Sequence, residues 1–120
     1  MGTEECEYIA GMADKDCVPC RGGVPPLPPD VVEGMLQQIG RGWTLVDGHH
    51  LSKGYTFPDF KEALRFTNLV GAMAEEQGHH PDMLLAWGKV RVDIWTHKID
   101  ALVESDFIFA AKTETIFDEM

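Results

Sequence analysis

Between Gln77 and Met83 the chain reads Gln-Gly-His-His-Pro-Asp-Met, and no helix can run through it. Gly78 supplies the left-handed residue that commonly ends a helix, and Pro81 forbids the helix from resuming. Upstream, residues 58–77 predict a long helix with Phe60, Ala63, Leu64, Thr67, Val70, Met73 and Ala74 on one apolar face. Pro58 falls in its first turn, where a missing N–H costs nothing, and Asp59 suits the dipole there. Downstream, Met83 to Trp87 and Val90 to Trp95 are short apolar runs split by Gly88-Lys89. Val90, Val92 and Ile94 alternate with Arg91, Asp93 and Trp95, the period of a half-buried strand. Glycine first in a two-residue connection signals a type II′ hairpin.

That turn fixes a register in which opposed residues sum to 177. Trp87 then faces Val90, Leu85 faces Val92, Met83 faces Ile94, and His80 faces His97. Directly opposed Cβ atoms lie roughly 4.5–5.5 Å apart, so this register would bring two imidazoles to one spot, with Pro81 splaying the last pair. Residues 75–97 hold three of the five histidines and two of the three tryptophans.

The rest of the chain frames this stretch. Its 120 residues allow one domain with a single core. A net charge of −10 disfavours nucleic acid and anionic membrane as partners. No apolar run is long enough to span a bilayer, and the N-terminus lacks a signal-peptide core, so a cytoplasmic location is expected. Residues 1–26 read as a Pro/Gly-rich N-terminal arm, extended on the surface or wrapped over the domain, and residues 27–120 as the domain proper. Cys6, Cys17 and Cys20 all fall in the arm. Cys17-Val-Pro-Cys20 could be redox-active or half a zinc site, or a tail feature without chemistry, since no second pair completes a zinc knuckle.

Asp30 is a plausible N-cap for a helix from Val31 to about Ile39. Trp43–Val46 and Leu51–Phe57 read as strands joined by Asp47-Gly48-His49-His50, a hairpin signal that leaves both histidines as solvated turn residues. Residues 96–103 form a connection. A last helix runs from Glu104 to about Phe117, capped by Val103 or Ser105, with Phe107, Ile108, Ala111 and Ile116 as its apolar face. The expected fold class is α+β: a four-stranded antiparallel sheet with three helices on one face, in the order α-β-β-α-β-β-α.

The residues alone leave three readings of the histidines open. His79 could cap the helix while His80 and His97 are exposed strand residues. Three neutral imidazoles could bind zinc. Or the trio could carry out metal-free acid–base chemistry near neutral pH.

The wider pattern is Glu75-x-x-x-His79-His80-Pro81, Trp87-x-Lys89-Val90, Thr96-His97 and Asp106, with Gly42-Trp43 and Phe57-x-Asp59-Phe60 upstream. It resembles the pterin-4a-carbinolamine dehydratase family from about Leu27 to the C-terminus, and the Cys-x-Pro-Cys-x-Gly-Gly arm looks like that of a subgroup. The resemblance implies dehydration of 4a-hydroxytetrahydropterin to quinonoid dihydropterin, for recycling the cofactor of aromatic amino-acid hydroxylases. It implies no metal and no organic cofactor. The catalytic set falls on His79, His80 and His97, with His79 and His97 assigned to proton transfer and His80 chiefly to holding the pterin. Glu75, Pro81, Met83, Thr96 and Asp106 are the implied binding or orienting residues. The chain departs from the pattern at Gly78, often Asp in the family, and at Met83, often Trp, which removes an aromatic wall from the pterin pocket. A homodimer or homotetramer is expected. Some members act as dimerisation cofactors of a homeodomain transcription factor and others are linked to molybdopterin enzymes, so a non-catalytic interaction module is the alternative.

Overall fold

The computed structural model describes residues 3–17 and 25–120, with side chains in the first helix from Glu7 onward. Cys20, and with it the C-x-x-C pair, lies outside the described residues. The elements are α1 (Thr3–Ala13), α2 (Pro29–Ile39), β1 (Thr44–Val46), β2 (His50–Thr56), α3 (Phe60–Gln77), β3 (Asp82–Ala86), β4 (Lys89–Ile94) and α4 (Glu104–Asp118). The strands form one antiparallel sheet in the order β1-β2-β4-β3. The α+β class is as expected, with four helices rather than three.

The sheet alternates as a half-buried sheet should. Leu51, Tyr55, Val90, Val92 and Ile94 are buried on the helix side, whereas Gly54, Thr56, Lys89 and Arg91 are exposed on the other. Against the inner face lies α4, whose residues Phe107, Ile108, Phe109, Ala110 and Ala111 are all buried in succession. A helix that is apolar all round is covered on every side. The second cover is α1, the fourth helix, which places Ile9 and Met12 in the core. Lys112 Nζ donates to the Ala13 carbonyl at 2.7 Å, and Lys15 pairs with Glu104 at 3.2 Å. The first part of the arm is thus helical and packed, not extended. The Pro/Gly content that argued for extension lies in residues after Asp16, and it says nothing about the helix before them.

Several termini differ in detail from expectation. Pro28 is the N-cap of α2 and Pro29 opens it, leaving Asp30 inside the first turn with no capping bond. Asp59 caps α3 by accepting from the Glu62 N–H at 2.9 Å, so Pro58 precedes the helix. At the other end Gly78 takes φ 64°, the left-handed stop that the sequence required.

The β3–β4 register is a correction. Ala86 pairs with Lys89, Leu85 with Val90, Met83 with Val92 and Asp82 with Asp93, so opposed residues sum to 175. The loop is Trp87-Gly88, and neither residue has positive φ, so the turn is not type II′. Gly88 serves another purpose. Its carbonyl accepts from the Phe57 N–H at 2.8 Å, and a Cβ on it would meet the Phe57 carbonyl oxygen at 2.9 Å. Close backbone approach, not left-handed φ, selects glycine here. A shift of two keeps every side chain on its expected face, but it removes the direct opposition of His80 and His97.

Candidate active site

His79 follows the left-handed Gly78, and its own N–H still bonds the Ala74 carbonyl at 3.2 Å. This wraps the chain over the end of α3 and turns the His79 side chain inward, where it is 7% exposed. Its Nε2 lies 2.7 Å from Asp106 Oδ1. Asp106 has no exposed surface, and its Oδ2 accepts from the Thr96 hydroxyl at 2.9 Å and from the Val103 N–H at 2.8 Å. A buried carboxylate costs a great deal unless its acceptor sites are filled; here three donors fill them. The Val103 bond also caps α4, so one side chain starts a helix and holds an imidazole. Since a carboxylate only accepts, Nε2 carries the hydrogen toward Asp106.

His80 and His97 are far more open. His80 is 58% exposed and its Nε2 bonds Glu75. His97 is 50% exposed, with Nε2 3.8 Å from Asp82 Oδ1 and its ring edge-on to Trp95 at 4.2 Å between centroids. Each imidazole therefore has its own carboxylate. No carboxylate is shared between two imidazoles: Asp106 joins His79 to Thr96, the neighbour of His97, and Asp82, two residues after His80, reaches His97, all at the open end of the β3–β4 hairpin. Pro81 and Met83 are half-buried, and Met83 packs against the core.

Three groups do more than the sequence reading gave them. Asp82 carried no signal beyond its place after Pro81. His49 and His50 are not simply solvated. His49 Nε2 lies 2.7 Å from Asp100 Oδ1, the two Nδ1 atoms are 3.0 Å apart, and both rings flank Trp95 at 5.2 and 5.5 Å. The β2–β4 register, continued one step past Leu51↔Ile94, predicts that His50–Trp95 contact. The third group is Glu114, 1% exposed near the far end of α4, which accepts from Lys53 at 2.7 Å, Trp43 at 3.3 Å, Arg41 at 3.4 Å and the Tyr55 hydroxyl. Burial, then the neighbouring Glu114 carboxylate, pushes the Tyr55 hydroxyl well above its ordinary range. Among the described residues, no three His, Cys, Asp or Glu side chains are grouped to hold a metal ion.

Comparison with known proteins gives this arrangement a lineage. The family described as pterin 4 alpha carbinolamine dehydratase matches residues 25–116. The chain belongs to that family. A relative from Alkaliphilus metalliredigens, named provisionally as a pterin-4-alpha-carbinolamine dehydratase, is 50% identical over 103 residues, 86% of this chain and 93% of its own. One from Rubrobacter xylanophilus, named the same way, is 51% identical over 108 residues, 90% of this chain and all of its own. The crystal structure of a transcriptional coactivator/pterin dehydratase from Brucella melitensis superposes with a TM-score of 0.72 at 29% identity, covering 77% of this chain and 98% of that one. The named activity of these dehydratase relatives is that of a hydro-lyase. The helix that carries Ile9 and Met12 lies outside the family match.

Proposed function

We propose that this protein dehydrates 4a-hydroxytetrahydropterin to quinonoid dihydropterin, with His79, His80 and His97 as its catalytic set. The observation that carries the reading is the buried His79–Asp106 pair beside two exposed, carboxylate-partnered imidazoles. In the reaction the C4a–O bond breaks and the hydroxyl leaves as water with a proton from an acid. The C4a=N5 bond forms as a base takes the N5 proton. The two proton movements cancel, so acid–base groups alone complete the cycle. His79, oriented through Nε2, and His97, exposed beside Trp95, are the proton-transfer groups. His80, with Glu75, holds the ring, and Pro81, Met83 and Thr96 shape or support the site. Returning the pterin to its reducible form fits recycling of a hydroxylase cofactor.

Turnover of freshly generated 4a-hydroxytetrahydropterin, measured against the uncatalysed rate, tests the reading. His79→Ala and His97→Ala should each lower kcat by about 10²–10⁴-fold with modest change in KM, the usual contribution of a general acid or base. His80→Ala should instead raise KM more than it lowers kcat. Unchanged turnover in His79→Ala would overturn the assignment. Turnover should also survive exhaustive chelation; loss with a chelator and recovery with zinc would move the reading to a metal site.

The coactivator name of the Brucella structure raises a non-catalytic module as the second reading. A scaffold would not need a buried imidazole–carboxylate pair, and a protein without turnover above the uncatalysed rate would favour the module.

A further inference from the structure

Asp16 and Cys17 lie against residues that flank His79 and Asp106 in the chain. Gln77 is the last residue of α3, two positions before His79, and its Oε1 accepts from the Cys17 N–H at 2.8 Å. Its Nε2 faces Asp16 Oδ1 at 3.4 Å. Cys17 is 7% exposed, and its Sγ lies 3.5 Å from the carbonyl oxygen of Ser105, the residue before Asp106. One residue of the segment therefore touches the element carrying the imidazole and the element carrying its carboxylate.

We propose that Cys17 and Gln77 are positioning residues for the His79–Asp106 pair, with the N-terminal segment serving as its rigid back wall. The proposal rests on the reading of His79 as a proton-transfer group. Between Gln77 and His79 lies only Gly78, whose backbone is the most permissive of any residue. The Gly78 and His79 N–H groups both bond the Ala74 carbonyl, so the exit of His79 is set by the last turn of α3, the turn that Gln77 closes and that its side-chain contacts hold. The segment that holds Gln77 is itself anchored on α4 by Ile9, Met12, Lys112 with Ala13, and Lys15 with Glu104. Burial, the largest influence, pushes the Cys17 thiol up to about 11, so its S–H remains a donor to Ser105 throughout the neutral range. Such a thiol is a poor nucleophile and a poor redox group, which favours a positioning role over the redox chemistry a C-x-x-C spacing suggests.

The test uses the full chain with Gln77→Ala, Cys17→Val and Cys17→Ser. The readouts are kcat and KM, taken well below each melting temperature, and the nitrogen resonances of the His79 ring by NMR. Cys17→Val and Gln77→Ala should lower kcat by about tenfold, since small displacements of a catalytic group are costly. KM should stay within about twofold and the His79 signals should shift. Cys17→Ser retains a donor to Ser105 and should restore most of kcat. Unchanged kcat and unchanged His79 signals in both Gln77→Ala and Cys17→Val would overturn the proposal. Should Cys17→Val fail to fold, Gln77→Ala, a half-buried position, decides alone. Full turnover in His79→Ala would instead refute the reading of the site, while the NMR shift in Gln77→Ala would still report whether the contact positions the ring.

Discussion

Asp106 takes hydrogen bonds from His79, Thr96 and Val103 in a place with no exposed surface, so its removal strands three donors at once. Leaving one buried polar group unpaired costs about 1–3 kcal/mol. Asp106→Ala should therefore lower the urea midpoint by an amount equivalent to about 3 kcal/mol at unchanged m, besides losing turnover. A midpoint within experimental error of the parent would show that the three donors find other partners. Cys17 gives a prediction with a sign. Its thiol is raised from 9.0 to about 11 by burial first, with the Asp106 and Asp16 charges adding to the rise and Lys112 opposing it. Above pH 9 the unfolded chain loses that proton before the folded chain does. Stability from this group is thus full below pH 9 and is lost as pH rises through 11, by about 3 kcal/mol at most. Cys17→Ala should flatten the alkaline limb of a stability–pH curve, leaving the part due to Tyr55. At neutral pH the native thiol should resist alkylation until the protein unfolds.

At the scale of the element, Gly88 of the β3–β4 turn and Gly54 of β2 should behave differently. Gly88→Ala places a Cβ 2.9 Å from the Phe57 carbonyl oxygen, and backbone cannot easily yield. A cost of about 1–3 kcal/mol is expected, as for other overpacked sites. Gly54→Ala meets only the flexible Lys89 side chain at 3.1 Å, so it should be close to neutral. Equal melting temperatures for the two variants would contradict this account of the hairpin. Helix α4 is pinned at both ends by buried carboxylates, Asp106 toward β4 and Glu114 toward Lys53 and Tyr55 of β2. Glu114→Ala leaves Lys53, Trp43, Arg41 and Tyr55 without this acceptor and should destabilise by about 3–5 kcal/mol. Loss of turnover at temperatures where this variant is still folded would mean the two ends of α4 are coupled.

For the molecule as a whole, β3 is an edge strand, with Leu84 and the turn residue Trp87 at 55% and 68% exposure. An exposed edge with large apolar side chains invites pairing with another chain. Light scattering should give a mass of two or four times 13.4 kDa, and Leu84→Lys should shift the population to smaller species. A parent protein running as a monomer at micromolar concentration would contradict the expectation. No helix among the described residues is long and apolar enough to cross a membrane.

The sequence by itself determined what short-range chemistry controls. The Gly78–Pro81 stop, the apolar stripe of α3, the alternation of β4 and the succession of elements along the chain all depend on residues a few positions apart. Only one backbone geometry satisfies each of them, so the α+β class was legible. Tertiary structure decided everything that depends on what lies opposite. The register of β3 and β4 is 175, and Gly88 in its turn is held by Phe57 at the end of the β2–β4 ladder, a contact thirty-one positions away that no turn rule contains. The helicity of residues 3–13 is supported by α4, whose second apolar side has no partner unless α1 covers it. The carboxylates follow the same rule. Glu75 and Asp106 stood out only within a family pattern, and Asp82 and Glu114 did not stand out at all. A carboxylate's partner is set by burial and three-dimensional distance, and neither quantity is carried by its neighbours in the chain.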